Sequence, residues 1–396
     1  MKYTPLSFDV NLRPEGVLID VGSLLGALAE LHDRRDARGL RYALVTMLLF
    51  IILAKLCGQD HLRGIADWVR LRKGSLAEAL GLAKVQAPHA TTYSRILKDA
   101  VDVQEMEAVT ARFLASQPGA GSSVVINLDG KTLRGTIPAG KSQGLHLLAA
   151  YLPEEGWVMW QVEVGRKENE IPAAARIVRC LDLRGKIVTG DALLAQRELS
   201  AQIVAGGGEY LWRVKGNQDR LQEDIELLFA PESCVPGFSP SHKEFRVATS
   251  CEKGHGRLER RTLTVSSQLK GYLDWPGAEQ VFRLERHFVR MGDGKVTHET
   301  AYGVTSLTKE EAGAARLLQL GRAHWGIENG LHYCRDETFR EDRCRLKGQG
   351  AHAMAVLNNL ALALLRRQGF DTIPDARRYY AANLDKAVAL VLLSNP

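Results

Sequence analysis

Val124-Val125-Ile126-Asn127-Leu128-Asp129-Gly130 and Gly185-Lys186-Ile187-Val188-Thr189-Gly190-Asp191 are the stretches on which the reading of this chain turns. Each is a short run rich in β-branched and apolar residues that ends in an aspartate, the pattern of a buried strand. Carboxylates at strand ends in an α/β sheet point into the crevice where ligands bind. Each aspartate also has an ordinary structural reading: Asp129-Gly130 as a turn, and Asp191 as the cap of a following helix.

Working outward, Gln117-Pro118-Gly119-Ala120-Gly121-Ser122-Ser123 reads as a linker. Leu145–Leu152 and Trp157–Val164 read as two further strands, and Glu209–Val214 as another. Ile171–Leu181, with Pro172 in its first turn, and Ala192–Val204 read as helices. Three strands followed by helix, strand, helix and strand predict an α/β sheet with mixed pairing. From Asn217 to about Ser306 the chain is polar and β-like, too long for a simple loop, and is expected to form an inserted β subdomain. A long helix is expected from Glu310 to about Tyr333, and a buried one from Gly350 to Gln368.

Residues 1–118 read as a helical domain, with helix-like apolar spacing over Leu18–Leu31 and an amphipathic stretch over Arg63–Lys73. The apolar run Ala43–Ala54 is too short to span a bilayer and reads as a buried helix. After Pro88, His89 to Leu97 reads as a capped helix start. Its Thr, Tyr, Ser and Arg side chains suit a DNA groove as well as a plain helical surface. The expected segments are thus 1–118, helical and DNA-binding; 119–216, the first part of a core; 217–306, the insertion; and 307–396, C-terminal helices.

The bulk numbers are those of a globular protein: 396 residues, 45% hydrophobic and 25% charged. The net charge of +6 is a mild basic bias, compatible with a polyanionic partner. The six cysteines form no CxxC pair, which argues against a disulfide scaffold and a zinc ribbon and for reduced thiols. The N-terminus lacks the apolar stretch of a signal peptide, so a cytoplasmic, nucleoid-associated protein with no membrane partner is expected.

A third candidate group is His324-Trp325-Gly326-Ile327-Glu328-Asn329-Gly330-Leu331-His332. His324, Glu328 and His332 fall at i, i+4 and i+8, on one helix face. A zinc site is disfavoured, because HExxH is absent and three ligands would be strung along about 12 Å of helix. A helix glutamate facing the sheet crevice is the better use of these residues.

Taken in order, the motifs resemble the DDE transposases of bacterial insertion sequences, specifically the H-repeat-associated group. The resemblance runs nearly the whole chain. It rests on Asp33-Arg34-Arg35 with Gly39 and Arg41-Tyr42, on Leu128-Asp129-Gly130-Lys131-Thr132-Leu133-Arg134-Gly135, and on Lys167-Glu168-Asn169-Glu170-Ile171-Pro172. It continues through Gly190-Asp191-Ala192 with Gln196, Tyr210 to Gln218, His255 to Arg261, His324 to Asn329, and Thr338 to Asp342. Gly190 and Tyr333-Cys334-Arg335 depart from the expected pattern.

The resemblance implies an RNase H-like catalytic core interrupted by a β-rich insertion and preceded by a helical domain. It implies a catalytic, metal-binding set of Asp129, Asp191 and Glu328, spaced 62 and 137 positions apart. The implied cofactor is Mg²⁺, with Mn²⁺ able to substitute. The implied partner is double-stranded DNA, both element ends and target, bound by a homodimer. Two Mg²⁺ ions held by a few carboxylates suffice for phosphoryl transfer without a protein nucleophile. The expected DNA contacts are Lys131, Arg134, Lys167, Asn169, Lys215, Asn217, Arg257, Arg261, His324, Asn329, Arg340 and Arg343. The rival readings are a domesticated, non-catalytic DNA-binding protein and a host nuclease.

Overall fold

The computed structural model describes residues 3–5, 18–20, 22–36, 38, 40–165, 168–230, 244–254, 256–324 and 326–393. The chain divides into two compact units whose segments interleave. The first comprises Met1–Ser122, Gly130–Val164 and Glu328–Pro396, and the second Ser123–Asp129 and Gly165–Ile327.

The first unit opens with an antiparallel pair, β1 (Tyr3–Pro5) and β2 (Leu18–Asp20). Helices α1 (Leu24–Leu28), α2 (Leu44–Leu56), α3 (Leu62–Leu71), α4 (Lys73–Ala79), α5 (Ala90–Arg95) and α6 (Val103–Ala115) follow. The helix expected over Leu18–Leu31 is therefore only one short turn. The Ser23 hydroxyl accepts the Gly26 amide and starts the helix at Leu24, after the strand. The apolar run read as a buried helix is α2, buried on nearly every side from Met47 to Leu56. Asp102 begins α6 by accepting the Gln104 and Glu105 amides.

Strand β3 (Val125–Leu133) belongs to both units, residues 125–129 to the second and 130–133 to the first. In the first unit the order is β5-β4-β3, with β4 (Leu145–Leu152) and β5 (Trp157–Glu163) an antiparallel hairpin. Leu133, Leu145 and Leu147 pack against Ala351 and Ala355 of a later helix.

The second unit continues through α7 (Glu170–Cys180), β6 (Ile187–Gly190), α8 (Arg197–Ala205), β7 (Glu209–Val214) and α9 (Asp219–Phe229). Then come β8 (Arg246–Gly254), β9 (Arg257–Ser266), β10 (Gln280–Arg290), β11 (Val296–Thr305) and α10 (Ala314–Ala323). The strand order is β3-β6-β7-β11-β10-β9-β8. The β3–β6 and β6–β7 pairs are parallel, and the rest antiparallel. The β-rich span supplies β8 to β11. It prolongs the sheet, because β11 pairs with β7 and one core joins Val125, Ile187 and Leu211 to Leu263, Phe282, Leu284 and Leu317. Gly303 permits this join: a Cβ there would run into the Phe282 ring and the Trp212 carbonyl.

The single helix expected from Glu310 to Tyr333 is also corrected. Thr308 and Glu311 form a turn, Gly313 caps α10, and α10 ends at Ala323. The Asn127 amide donates to the Ala323 carbonyl at 2.8 Å, supplying a partner for a helix-terminal group. The first unit closes with α11 (Gln349–Arg366), buried over most of its length as expected, α12 (Ile373–Ala382) and α13 (Leu384–Leu392). Among the described residues no helix is long and apolar enough to cross a membrane.

Candidate active site

In the second unit the two aspartates occupy equivalent places. Parallel strands β3 and β6 pair Asn127 with Thr189, and Asp129 and Asp191 each stand two residues further on. The side chains of that pair are joined: Thr189 Oγ1 donates to Asn127 Oδ1 at 2.7 Å. A hydroxyl has one proton, so the 3.1 Å contact between Thr189 Oγ1 and His324 Nδ1 needs the proton on Nδ1. Burial, followed by the charge of Arg213, pushes the His324 imidazole down to about 4, so it is neutral at pH 7.

Asp191 Oδ1 accepts the amides of Leu193 and Leu194 at 3.0 and 3.3 Å, the capping role its position suggested. The carboxyl is nevertheless held above the usual carboxylate range, first by loss of hydration and then by Glu170. The two amides and Lys215 oppose that shift. Glu170, in the first turn of α7, is an acid that the sequence reading passed over although it lies within one of the quoted motifs. The turn after Asp191 is anchored by the short helical turn Gly216–Gln218 that follows β7. Asn217 Nδ2 donates to the Ala192 carbonyl at 2.7 Å, and Gln218 Nε2 to Ala195 and Gln196.

Space beside the backbone is short at Gly190. A Cβ there would lie 2.8 Å from Leu194 Cδ1 and 3.0 Å from Trp212 Cζ3. Trp212 is fully buried and its Nε1 donates to Ser200 Oγ at 3.0 Å, so the ring has little freedom to yield.

In the first unit Glu328 begins a π-helical turn, Glu328–His332, that follows the end of α10 in the chain. Its carboxylate is largely exposed and lies 3.6 Å from His332 Nδ1. Burial first, then Arg335 and Lys131, push His332 down to about 3, so the imidazole is a neutral neighbour of Glu328 at pH 7. His332 was set aside with the zinc reading, yet the structure makes it the group beside this acid.

The expected DNA contacts separate into several situations. Lys215, Arg257, Arg340, Arg343 and Asn329 are exposed. Arg134 is exposed too, 3.7 Å from Asp342. Lys131 is mostly buried and bound to Asp336 at 2.6 Å. Arg261 is committed to Glu252 and Glu259 at 2.9 and 2.6 Å. Asn169 caps α7, accepting the Ile171 amide at 3.1 Å, and Asn217 holds the Asp191 turn. Lys167 lies outside the described residues, as do Trp325 and His255. Arg340 has φ of 50°, a left-handed backbone that is the only such non-glycine among the described residues.

Sequence reasoning missed a buried polar network in the first unit. Arg335, fully buried, donates to Glu341 at 2.7 Å and to Gln161 at 3.0 Å. Glu341 also accepts from Asn358 at 2.8 Å, whose Oδ1 takes the Lys55 amine at 2.5 Å. Gln161 donates to Glu107, which the His352 ring also approaches at 3.3 Å. The departure noted at Tyr333-Cys334-Arg335 was the available signal. This network ties the segment that follows Glu328 to α2, α6, β5 and α11.

Residues 120–365 match the family described as Transposase DDE domain, and residues 25–114 match one described as DDE_Tnp_1-associated. The chain belongs to the DDE transposase family. Within it, the chain groups with the H-repeat-associated proteins, as the motifs suggested. It is 28% identical over 357 residues to "Putative transposase YncI" of Escherichia coli O157:H7, covering 88% of each chain. It is 26% identical to "H repeat-associated putative transposase YhhI" of Escherichia coli K12, covering 88% of this chain and 91% of the relative. An uncharacterized protein in the dhlA 3' region of Xanthobacter autotrophicus is 30% identical over 70% of this chain and 92% of its own length.

Proposed function

We propose that this chain cuts the ends of an insertion sequence and joins them to target DNA by two-metal phosphoryl transfer, on an RNase H-like core. The observation that carries the reading is the equivalent placement of Asp129 and Asp191 beyond the Asn127–Thr189 pair of two neighbouring parallel strands. Membership of the DDE family supports adding Glu328 as the third acid.

The residues suit a hard divalent cation. All three acids offer oxygen, which Mg²⁺ prefers over nitrogen and sulfur, and Mn²⁺ accepts the same set. Asp191 is held above the usual carboxylate range by lost hydration and by Glu170, more than Lys215 offsets, and a bound cation would favour its charged form. Bound divalent ions supply activation of the attacking oxygen and stabilisation of the leaving one. The chain's own part is positioning. The backbone amides of Leu193 and Leu194 fix one Asp191 oxygen, Asn217 fixes the turn that offers those amides, and Thr189 ties the two strands together. Lys215, Arg257, Arg340 and Arg343, exposed and cationic, are suited to phosphates of double-stranded DNA. Two ends must be cut together, so a homodimer on DNA is the working form of this proposal.

The test uses a supercoiled plasmid carrying the DNA that flanks the coding sequence, with wild type, Asp191→Ala and Glu328→Gln. The expected result is excision and strand transfer in Mg²⁺, lost in EDTA and in both variants, with DNA binding retained. Breaks without joining would point to a nuclease. Binding without cutting in any divalent metal would point to a domesticated DNA-binding protein.

A further inference from the structure

Strands β10 and β11 carry a pair of histidines that are not among the acids of the proposed site. His287 on β10 and His298 on β11 are register partners in the antiparallel ladder. Their rings lie 4.3 Å apart between centroids, tilted by 47°. Both residues are exposed. Directly paired residues project from the same face of the sheet, so the two imidazoles stand side by side with their ring nitrogens reachable from solvent. Neither ring is part of the core cluster that holds the sheet to α10.

We propose that His287 and His298 form a chelating site for a late first-row divalent cation: Zn²⁺, Ni²⁺ or Cu²⁺. Zinc–imidazole bonds of about 2.0–2.1 Å place two tetrahedral ligand nitrogens about 3.3 Å apart. Ring centroids 4.3 Å apart on directly paired residues put the two imidazoles within reach of one ion. Imidazole nitrogen suits these ions and not Mg²⁺, so the pair and the proposed carboxylate site select different metals. Two histidines leave further coordination positions for water.

The surroundings set the strength. Arg260 on β9 is the other register partner of His287 and lies on the same face, where its charge opposes a cation. Glu285, two residues along β10 on that face, favours one, though Arg283 pairs with it at 3.2 Å. Thr262 and Thr300 flank Glu285, and Leu258 and Val296 lie in the row beyond, with Lys253 outermost. The site is accordingly moderate in affinity, and it clamps β10 to β11 where the pair projects beyond the β7 ladder.

Calorimetric titration of Ni²⁺ and Cu²⁺ into the full chain, in buffer containing Mg²⁺, tests this against His287→Gln, His298→Gln and the double variant. A chelate gains its second bond intramolecularly, so either single substitution is expected to weaken this site by roughly tenfold or more. The double variant should bind no tighter than either single one. Equal titration of wild type and single variants would overturn the proposal. A second measurement needs no variant: Ni²⁺ should protect His287 and His298 together from acylation by diethyl pyrocarbonate, mapped by mass spectrometry. Unchanged modification of both rings in Ni²⁺ would also overturn it.

Discussion

Thr189 donates a 2.7 Å hydrogen bond to Asn127 across β3 and β6, and each of these residues lies two positions before a proposed metal-binding aspartate. The bond is buried, and the same hydroxyl receives the His324 imidazole. One side chain thereby joins the two acid-bearing strands to the end of α10.

Thr189→Val removes that hydroxyl at nearly constant shape. Asn127 and His324 each lose a buried partner, which costs about 1–3 kcal/mol for an unsatisfied polar group. Urea unfolding should show the loss, and Thr189→Ser should recover most of it. A valine variant as stable as wild type would remove the network from the account.

His324 gives a pH dependence. Its folded-state value of about 4 lies below the ordinary 6.5, so the unfolded chain takes up a proton first as pH falls. The stability this group contributes is complete above pH 6.5 and is lost as pH falls toward 4, by on the order of 3 kcal/mol. His324→Asn keeps an N–H donor but does not titrate. Unfolding free energies between pH 7 and pH 4 should therefore fall less steeply in that variant than in wild type.

Arg335 and Glu341 form a fully buried pair. Arg335→Leu leaves the carboxylate without its cation and is expected to cost about 3–5 kcal/mol. Adding Glu341→Gln should restore part of that, since the stranded charge is gone while the Asn358 bond can remain. Denaturant curves of the two variants decide it, and a double variant less stable than the single one would refute the charge argument.

Gly190→Ala tests the tight turn at the second acid. The added methyl meets Leu194 and Trp212, and overpacking of this kind costs about 1–3 kcal/mol. The displaced turn carries Asp191, so Mg²⁺-dependent cleavage should fall further than stability does. Leu194→Ala in the same chain opens space on one side and should return part of both losses.

Much of the fold was legible in order. The strand end at Asp191, the buried helices α2 and α11 and the β-rich span all follow from apolar runs and breakers that act locally, whereas β3 runs on through Asp129 to Leu133. The family strings add Glu328, which periodicity alone left as one acid on a helix. Where reading failed, a distant partner had overridden local pattern. The apolar spacing through Glu310–Tyr333 suits one helix, but the helix ends at Ala323, where Asn127 takes its terminal carbonyl. Asn217 and Asn169, expected at the DNA, also have structural partners: Asn217 donates to the Ala192 carbonyl and Asn169 accepts the Ile171 amide.

Sequence by itself determined much of the alternation of strands and helices, and the family, because these depend on residue type and spacing. Tertiary structure alone decided that the β-rich span prolongs the sheet, that Lys131 and Arg261 are bound to carboxylates, and that Arg335 is buried among polar partners. Apart from those of Arg261, whose partners lie two and nine residues away, those outcomes rest on pairings between residues far apart in the chain, whose strength depends on burial that no local pattern records.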